Sequence, residues 1–187
     1  MTKIAIVTGS IRPGRQSLTV ANWVKAIADR RDDAHFEVVD IADHPLPLWQ
    51  GELPPAAAPG GTTVESQAWS ARMSEFDGFI VVVSEYNHSI TGALKNAMDQ
   101  AFVYLKPELK DKAAGFVSYG AAGGARAVEH LRGILSELGV AHVRNTVLLS
   151  LFHDFENFSL FKPTEPATDS VGPMLDQLIP WTKAMQA

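Results

Sequence analysis

After Gly78 the chain runs Phe79-Ile80-Val81-Val82-Val83, five apolar residues with no polar member among them. A strand that does not alternate has no face for water and must be covered on both sides. Two other runs share this character, Lys3-Ile4-Ala5-Ile6-Val7-Thr8 and Ala113-Ala114-Gly115-Phe116-Val117-Ser118. Two weaker ones complete the set: His35-Phe36-Glu37-Val38-Val39-Asp40 and Val140 to Leu149.

Between these runs lie amphipathic stretches at helical spacing. The first begins near Ser17 and carries Leu18, Ala21, Trp23, Val24, Ile27 and Ala28. Residues 63–76 carry Val64, Ala68, Trp69 and Met73. Residues 91–105 carry Leu94, Ala97, Met98, Ala101, Phe102 and Leu105. Residues 125–138 carry Val128, Leu131, Leu135 and Leu138. The last holds Met174, Leu175, Leu178 and Trp181, with Pro180 predicting a kink or a new turn. Strand and helix in alternation predict a parallel sheet with helices on both faces. Right-handed crossovers leave few topologies. The expected fold class is α/β, a flavodoxin-like three-layer sandwich with a five-stranded parallel sheet in order 2-1-3-4-5. Ligands of such folds sit beyond the carboxyl ends of the strands, so the loops after strands 1, 3 and 4 are where chemistry is expected.

Length and composition narrow the setting. A chain of 187 residues, 46% apolar and 20% charged, suits one domain over residues 1–187. A net charge of −5 argues against a nucleic-acid surface. There is no cysteine, which removes disulfides, thiolate metal sites and thiol catalysis. The apolar stretch after Met1-Thr2-Lys3 is too short for a signal peptide, and no segment reaches the roughly 18 apolar residues of a membrane span. A cytoplasmic protein is expected.

The loop after strand 1 reads Thr8-Gly9-Ser10-Ile11-Arg12-Pro13-Gly14-Arg15-Gln16-Ser17. Its glycines permit a sharp turn with N–H groups pointing inward, and the next helix adds its positive end. Ser10 and Ser17 supply hydroxyls; Arg12 and Arg15 supply charge. This is chemistry for a phosphate. Gly9 and Gly14 have Walker spacing, but Arg15 and Gln16 stand where lysine and a magnesium-binding hydroxyl belong, so nucleotide phosphotransfer is unsupported. A dinucleotide fingerprint fails as well. A terminal monophosphate without a metal is the ligand that suits the loop.

The loop after strand 3, Ser84-Glu85-Tyr86-Asn87-His88-Ser89-Ile90-Thr91-Gly92, offers a flat face at Tyr86 and a helix cap at Ser89 or Thr91. His88 is one of six histidines, none at HxxxH or HExxH spacing, so no metal site is expected. The loop after strand 4, Ser118-Tyr119-Gly120-Ala121-Ala122-Gly123-Gly124, allows close backbone approach, with Tyr119 able to stack or pack against a ring. A GxSxG nucleophile elbow is missed by one residue at Gly115 and Ser118. No catalytic side chain stands out.

Taken together these loops resemble the NADPH-dependent FMN reductase family, which includes quinone, chromate and azo-dye reductases. The marks are Gly9–Arg15, Glu85–Ser89, Leu94-Lys95-Asn96-Ala97-Met98-Asp99, Gly120–Gly124 and Asp43-His44-Pro45-Leu46-Pro47-Leu48. The resemblance covers residues 3 to about 149. It implies FMN phosphate on Ser10, Arg12, Arg15, Gln16 and Ser17. It implies the isoalloxazine against Glu85, Tyr86, Asn87 and His88, with Tyr119, Gly120 and Gly123 closing the other side. Ser84 and Thr91-Gly92 depart from the family, which usually has Pro and Pro-Gly there.

The implied activity is an oxidoreductase that passes hydride from NADPH or NADH through FMN to a quinone, flavin, azo or similar small acceptor. A non-catalytic flavodoxin-like electron carrier or flavin-binding module is the alternative. The flavin would carry the chemistry, in keeping with the lack of a side-chain triad. A homodimer or homotetramer is implied, with the apolar face of the third helix as the expected interface. Lys95 and Asp99 are spaced for an ordinary surface ion pair. The stretch His44 to Gly61, with five prolines, predicts an extended loop over the sheet's carboxyl edge. Phe152, Phe155, Phe158 and Phe161 are expected to cover a partner or the site.

Overall fold

The computed structural model describes residues 1–57, 63–101 and 111–186. The five predicted strands form at β1 (Lys3–Thr8), β2 (His35–Val39), β3 (Gly78–Ser84), β4 (Ala113–Gly120) and β5 (Ala141–Ser150). All pair in parallel, in the order β2-β1-β3-β4-β5. The three most apolar runs occupy the three inner positions, where burial on both faces is enforced. The helices are α1 (Ser17–Ala28), α2 (Val64–Ser74), α3 (Gly92–Ala101), α4 (Ala125–Glu137), α5 (Glu165–Asp169) and α6 (Val171–Met185).

The period of two along each strand splits the core into two layers. Ala5, Val7, Phe79, Val81, Val83 and Phe116 pack with residues of α2, α3 and α4. Ile4, Ile6, Ile80, Val82, Val117 and Val147 pack with α1 and α6. Val20 rather than Leu18 turns inward from α1, because it shares a stripe with Val24 and Ala28.

Two expectations are corrected. The last helix runs unbroken through Pro180. Pro180 lies on the exposed side, one turn after exposed Asp176, so the carbonyl that loses its helical donor is not forced to stay unsatisfied in the core. The apolar face of α3 is not free for another chain: Leu94, Ala97, Met98 and Ala101 are all buried in this chain's own core. Phe102 and Leu105 lie outside the described residues, as do Pro59, Gly60 and Gly61 of the proline-rich loop. Among the described residues no helix is long and apolar enough to cross a membrane.

The carboxyl ends of β1, β3 and β4 lie side by side. Gly9 approaches Val82 so closely that a Cβ would stand 2.5 Å from its carbonyl oxygen. Ser84 is in register with Tyr119.

Candidate functional site

The loop after β1 closes through a turn in which Arg15 N–H donates to the Arg12 carbonyl at 3.0 Å, with Gly14 at φ 71°. The Arg12 N–H donates to Ser10 Oγ at 3.3 Å, and Ser17 Oγ donates to the Ser10 carbonyl at 3.5 Å. At the start of α1 the cap residue Gln16 makes no side-chain capping bond, and no acidic residue stands in the first turn. The first N–H groups of that helix are therefore left to a ligand anion or water. Thr91 fixes the loop from behind. Its buried hydroxyl donates to the Gly9 carbonyl at 2.6 Å and accepts the Leu94 N–H at 3.0 Å, capping α3 with the same oxygen.

The two arginines of the loop differ in situation. Arg12 is exposed, and among the described residues its side chain donates to the Pro13 carbonyl beside it, at 3.2 Å. Arg15 reaches back to the end of β2, where Nη2 meets Asp40 at 2.5 Å. Asp40 is buried and also accepts from Thr8 Oγ1 at 2.7 Å and Ala42 N at 3.0 Å. Burial works to raise the Asp40 carboxyl. The bonds from Thr8, Arg15 and Ala42 and the Arg15 charge outweigh it, so the carboxyl lies below its ordinary value. Arg15 thus arrives at the site with its charge already answered. Nothing in the local sequence marks Asp40, since its partner is 25 positions away.

After β3 the chain makes a tight turn in which Tyr86 and Ser89 exchange backbone bonds at 2.8 and 2.9 Å. Asn87 and His88 occupy left-handed conformations, φ 49° and 68°. Such a conformation costs a residue with a side chain about 1 kcal/mol or more. The turn is held by α4. Arg126 Nη2 pairs with Glu85 Oε1 at 2.6 Å, Arg126 Nη1 meets His88 Nε2 at 2.8 Å, and His130 Nδ1 meets Ser89 Oγ at 3.0 Å. Arg126 was missed in the sequence; it sits beyond the glycine loop and only the fold brings it over Glu85.

In the loop after β4, Gly123 and Gly124 take φ 68° and 76°, and Ser118 Oγ donates to the Gly123 carbonyl at 2.6 Å. A Cβ on Gly124 would stand 2.8 Å from that of Ser118. Tyr119 does not present its ring to the Glu85–Asn87 edge. By alternation it shares the α1 face with Val117, its ring packs on Phe155 at 5.7 Å, and its hydroxyl accepts from Ser84 Oγ at 2.5 Å. Burial raises its phenol above the ordinary value, while the Ser84 and Ser17 hydroxyls pull the other way.

Hydroxyls line the carboxyl ends of β1, β3 and β4 in two linked groups: Ser17 Oγ reaches the Ser10 carbonyl and Tyr86 Oη lies 3.5 Å from Ser10 Oγ, while Ser84 Oγ meets Tyr119. Among the described residues, three buried side-chain polar atoms have no hydrogen-bond partner: Arg15 Nε, Glu85 Oε2 and Arg126 Nε. Arg15 and Glu85 belong to the loops after β1 and β3, and Arg126 stands in the first turn of α4 against Glu85. Orphaned buried groups are rare and call for an explanation. Their presence beyond the carboxyl ends of the central strands, with an uncapped helix start and these hydroxyls, fits a ligand bearing both a phosphate and a flat polar ring. On the α2–α3 side of the first loop lies an apolar hollow of about 920 Å³, lined by Ile11, His44, Leu46, Ala93 and Asn96 among others.

The described part of the proline-rich loop, residues 44–57, forms no strand or α-helix and holds one short 3-10 turn at Pro55–Ala57. Asn96 and Gln100 strap it down, donating to the Leu46 and Pro47 carbonyls. Lys95 and Asp99 form an ordinary helical ion pair at 2.5 Å, both partners substantially exposed. The tail folds into a two-stranded hairpin, β6 (Phe155–Glu156) and β7 (Leu160–Phe161), tied at its base by buried Asp154. Its aromatics divide. Phe155 is buried against Tyr119 and Phe161, and Phe161 meets Trp23 edge-on at 5.3 Å. Phe152 and Phe158 pair with each other at 5.6 Å and remain exposed. Among the described residues no group of three or more metal-ligating side chains is placed to hold a metal.

Comparison with known proteins agrees with this layout. The protein-family model described as NADPH-dependent FMN reductase matches residues 2–154. An NAD(P)H-dependent FMN reductase, ntnL, of a Nectria species is 39% identical over 132 residues, 68% of this chain and 64% of that protein. A Schizosaccharomyces pombe NAD(P)H-dependent FMN reductase is 34% identical over 71% of this chain and 66% of its own length. The match thus spans just under two thirds of these two relatives. A quinone reductase of Escherichia coli is 36% identical over 71% of this chain and 70% of its own. Among solved structures, the flavoenzyme NAD(P)H:(acceptor) oxidoreductase FerB of Paracoccus denitrificans superposes with a TM-score of 0.74 at 20% identity, covering 99% of each chain, which is a likeness of fold. The fold is flavodoxin-like, and by the match over residues 2–154 the chain belongs to the NADPH-dependent FMN reductase family.

Proposed function

We propose that the protein is an FMN-dependent NAD(P)H oxidoreductase that passes hydride from NADPH or NADH through bound FMN to a small acceptor of the quinone, flavin or azo class. The presence of orphaned buried Arg15 Nε, Glu85 Oε2 and Arg126 Nε beyond the carboxyl ends of the central strands, beside an uncapped start of α1, carries the proposal. Family membership and the printed names of the relatives, FMN and quinone reductases, support it.

Ser10, Arg12, Gln16 and Ser17 hold the phosphate at the start of α1, and Arg15 shapes the loop from its bond to Asp40. Glu85, Tyr86, Asn87 and His88 line one edge of the ring, held rigid by Arg126. Gly120 and Gly123 bring backbone close on the other side. When bound, the flavin supplies the redox chemistry, accepting hydride and returning electrons. The chain's own part is to bind, orient and exclude water; no side-chain proton donor is assigned.

A homodimer or homotetramer in a cytoplasmic setting is part of the same proposal. The exposed Phe152–Phe158 pair replaces the α3 face as the apolar surface available to a second copy. Light scattering tests it, and a monomer at working concentration removes it.

The decisive experiment is the visible spectrum of the purified protein, followed by NADPH under anaerobic conditions and then a quinone. A yellow protein that bleaches and recovers is expected. A yellow protein indifferent to NADPH and NADH would be an electron carrier instead. A colourless protein that ignores added FMN would overturn the proposal.

A further inference from the structure

Tyr119 stands where the sequence places a ring-stacking residue, yet its geometry turns it to the other end of the site. Its ring is held by Phe155 at 5.7 Å, on the α1 face of the sheet. Its hydroxyl accepts from Ser84 Oγ at 2.5 Å. Ser84 spends its one proton on that bond, so the phenol's own proton is free to be donated elsewhere. Ser84 ends β3, which lies between β4 and β1, so the phenol reaches from β4 across toward the strand that leads into the first loop. Of the hydroxyls described above, Ser10, Ser17 and Ser84 are buried, and Tyr119 keeps partial exposure.

We infer that the Tyr119 hydroxyl, oriented by Ser84, is a phosphate ligand that lets the site distinguish a flavin monophosphate from the unphosphorylated flavin. The role presupposes that FMN is the ligand of the site. Ser84 is the positioning residue, because it touches the ligand only through Tyr119. A phenol is protonated at neutral pH in any case, and burial pushes it further that way, so it is available as a donor to an anion. The arrangement complements the backbone: N–H groups at the start of α1 take the phosphate from the loop side, and the phenol takes it from the β4 side.

The test is titration of flavin-free protein with FMN and with riboflavin, read by quenching of flavin fluorescence. Tyr119→Phe keeps the ring on Phe155 and removes only the hydroxyl. It should weaken FMN by about tenfold, the size of one lost hydrogen bond to a charged group, and leave riboflavin unchanged. Ser84→Ala should move FMN affinity in the same direction by a smaller factor, again without touching riboflavin. An unaltered FMN-to-riboflavin ratio in Tyr119→Phe, or equal losses for both flavins, overturns the inference while FMN binding by the wild type stands. Failure of the wild type to bind FMN overturns the functional proposal and this inference with it.

Discussion

Arg15 and Asp40, 25 positions apart in the chain, meet at 2.5 Å where the loop after β1 passes the end of β2. Asp40 holds Thr8 of β1 with the same carboxylate, so one buried group ties a strand, a loop and the next turn together. Arg15→Ala leaves that carboxylate without its cation. Because Arg15 is partly exposed, we expect a loss of about 1–2 kcal/mol rather than the larger cost of a fully buried pair. Arg12→Ala should leave thermal stability unchanged and weaken FMN, since among the described residues the Arg12 side chain holds its neighbour's carbonyl alone. Paired melting curves and FMN titrations separate the two; identical behaviour of both variants contradicts the division of roles.

The Asp40 carboxyl also sets a pH dependence. Its value in the folded chain lies below the ordinary one, so folding favours the ionised form. The stabilisation is complete above the unfolded value of about 3.9 and is lost as pH falls from there through the folded value. Urea unfolding at pH 6 and at pH 3.5 should show Asp40→Asn losing less stability on acidification than the wild type. Parallel losses would show that the carboxylate is not the group responsible.

Thr91 links two loops through one oxygen, donating to Gly9 and accepting from Leu94. Thr91→Val keeps the shape and removes both bonds. A cost of about 1–2 kcal/mol is expected from the lost cap and the unsatisfied Gly9 carbonyl. Urea midpoints measure it, and FMN affinity should fall as well because Gly9 begins the phosphate loop. Wild-type affinity in a destabilised variant would confine Thr91 to capping α3.

Arg126 bridges Glu85 and His88 and so secures the left-handed pair Asn87-His88. Arg126→Ala should weaken both FMN and riboflavin, because it disturbs the ring edge rather than the phosphate end. Arg126→Lys should recover part of the loss, since it restores the charge beside Glu85 without the two-armed grip. A phosphate-selective loss would place Arg126 at the wrong end.

Much of this was legible before any coordinates. The unbroken apolar runs at 3–8, 78–83 and 113–118 require strands covered on both faces, and five strand–helix units then leave the observed order as the natural solution. The glycines of the first loop and its missing lysine are local facts, and the expectation of an anion cradle rests on them alone. The α3 interface was misjudged for a definable reason. An apolar stripe records that a face is buried, and is silent on whether the same chain or another one buries it.

What the sequence determined alone is the class of fold and the positions of its three ligand loops, because strand period and glycine placement are local properties. Only the tertiary structure decided that Arg15 turns to Asp40, that Arg126 secures Glu85, and that Tyr119 packs on Phe155 and meets Ser84. The first two depend on Asp40 and Glu85, just past the ends of β2 and β3, where the period of two no longer dictates direction; Tyr119, inside β4, takes its face from alternation but its partners from the neighbouring elements. There the partner is whichever group the sheet order brings within about 3 Å, the reach of a hydrogen bond.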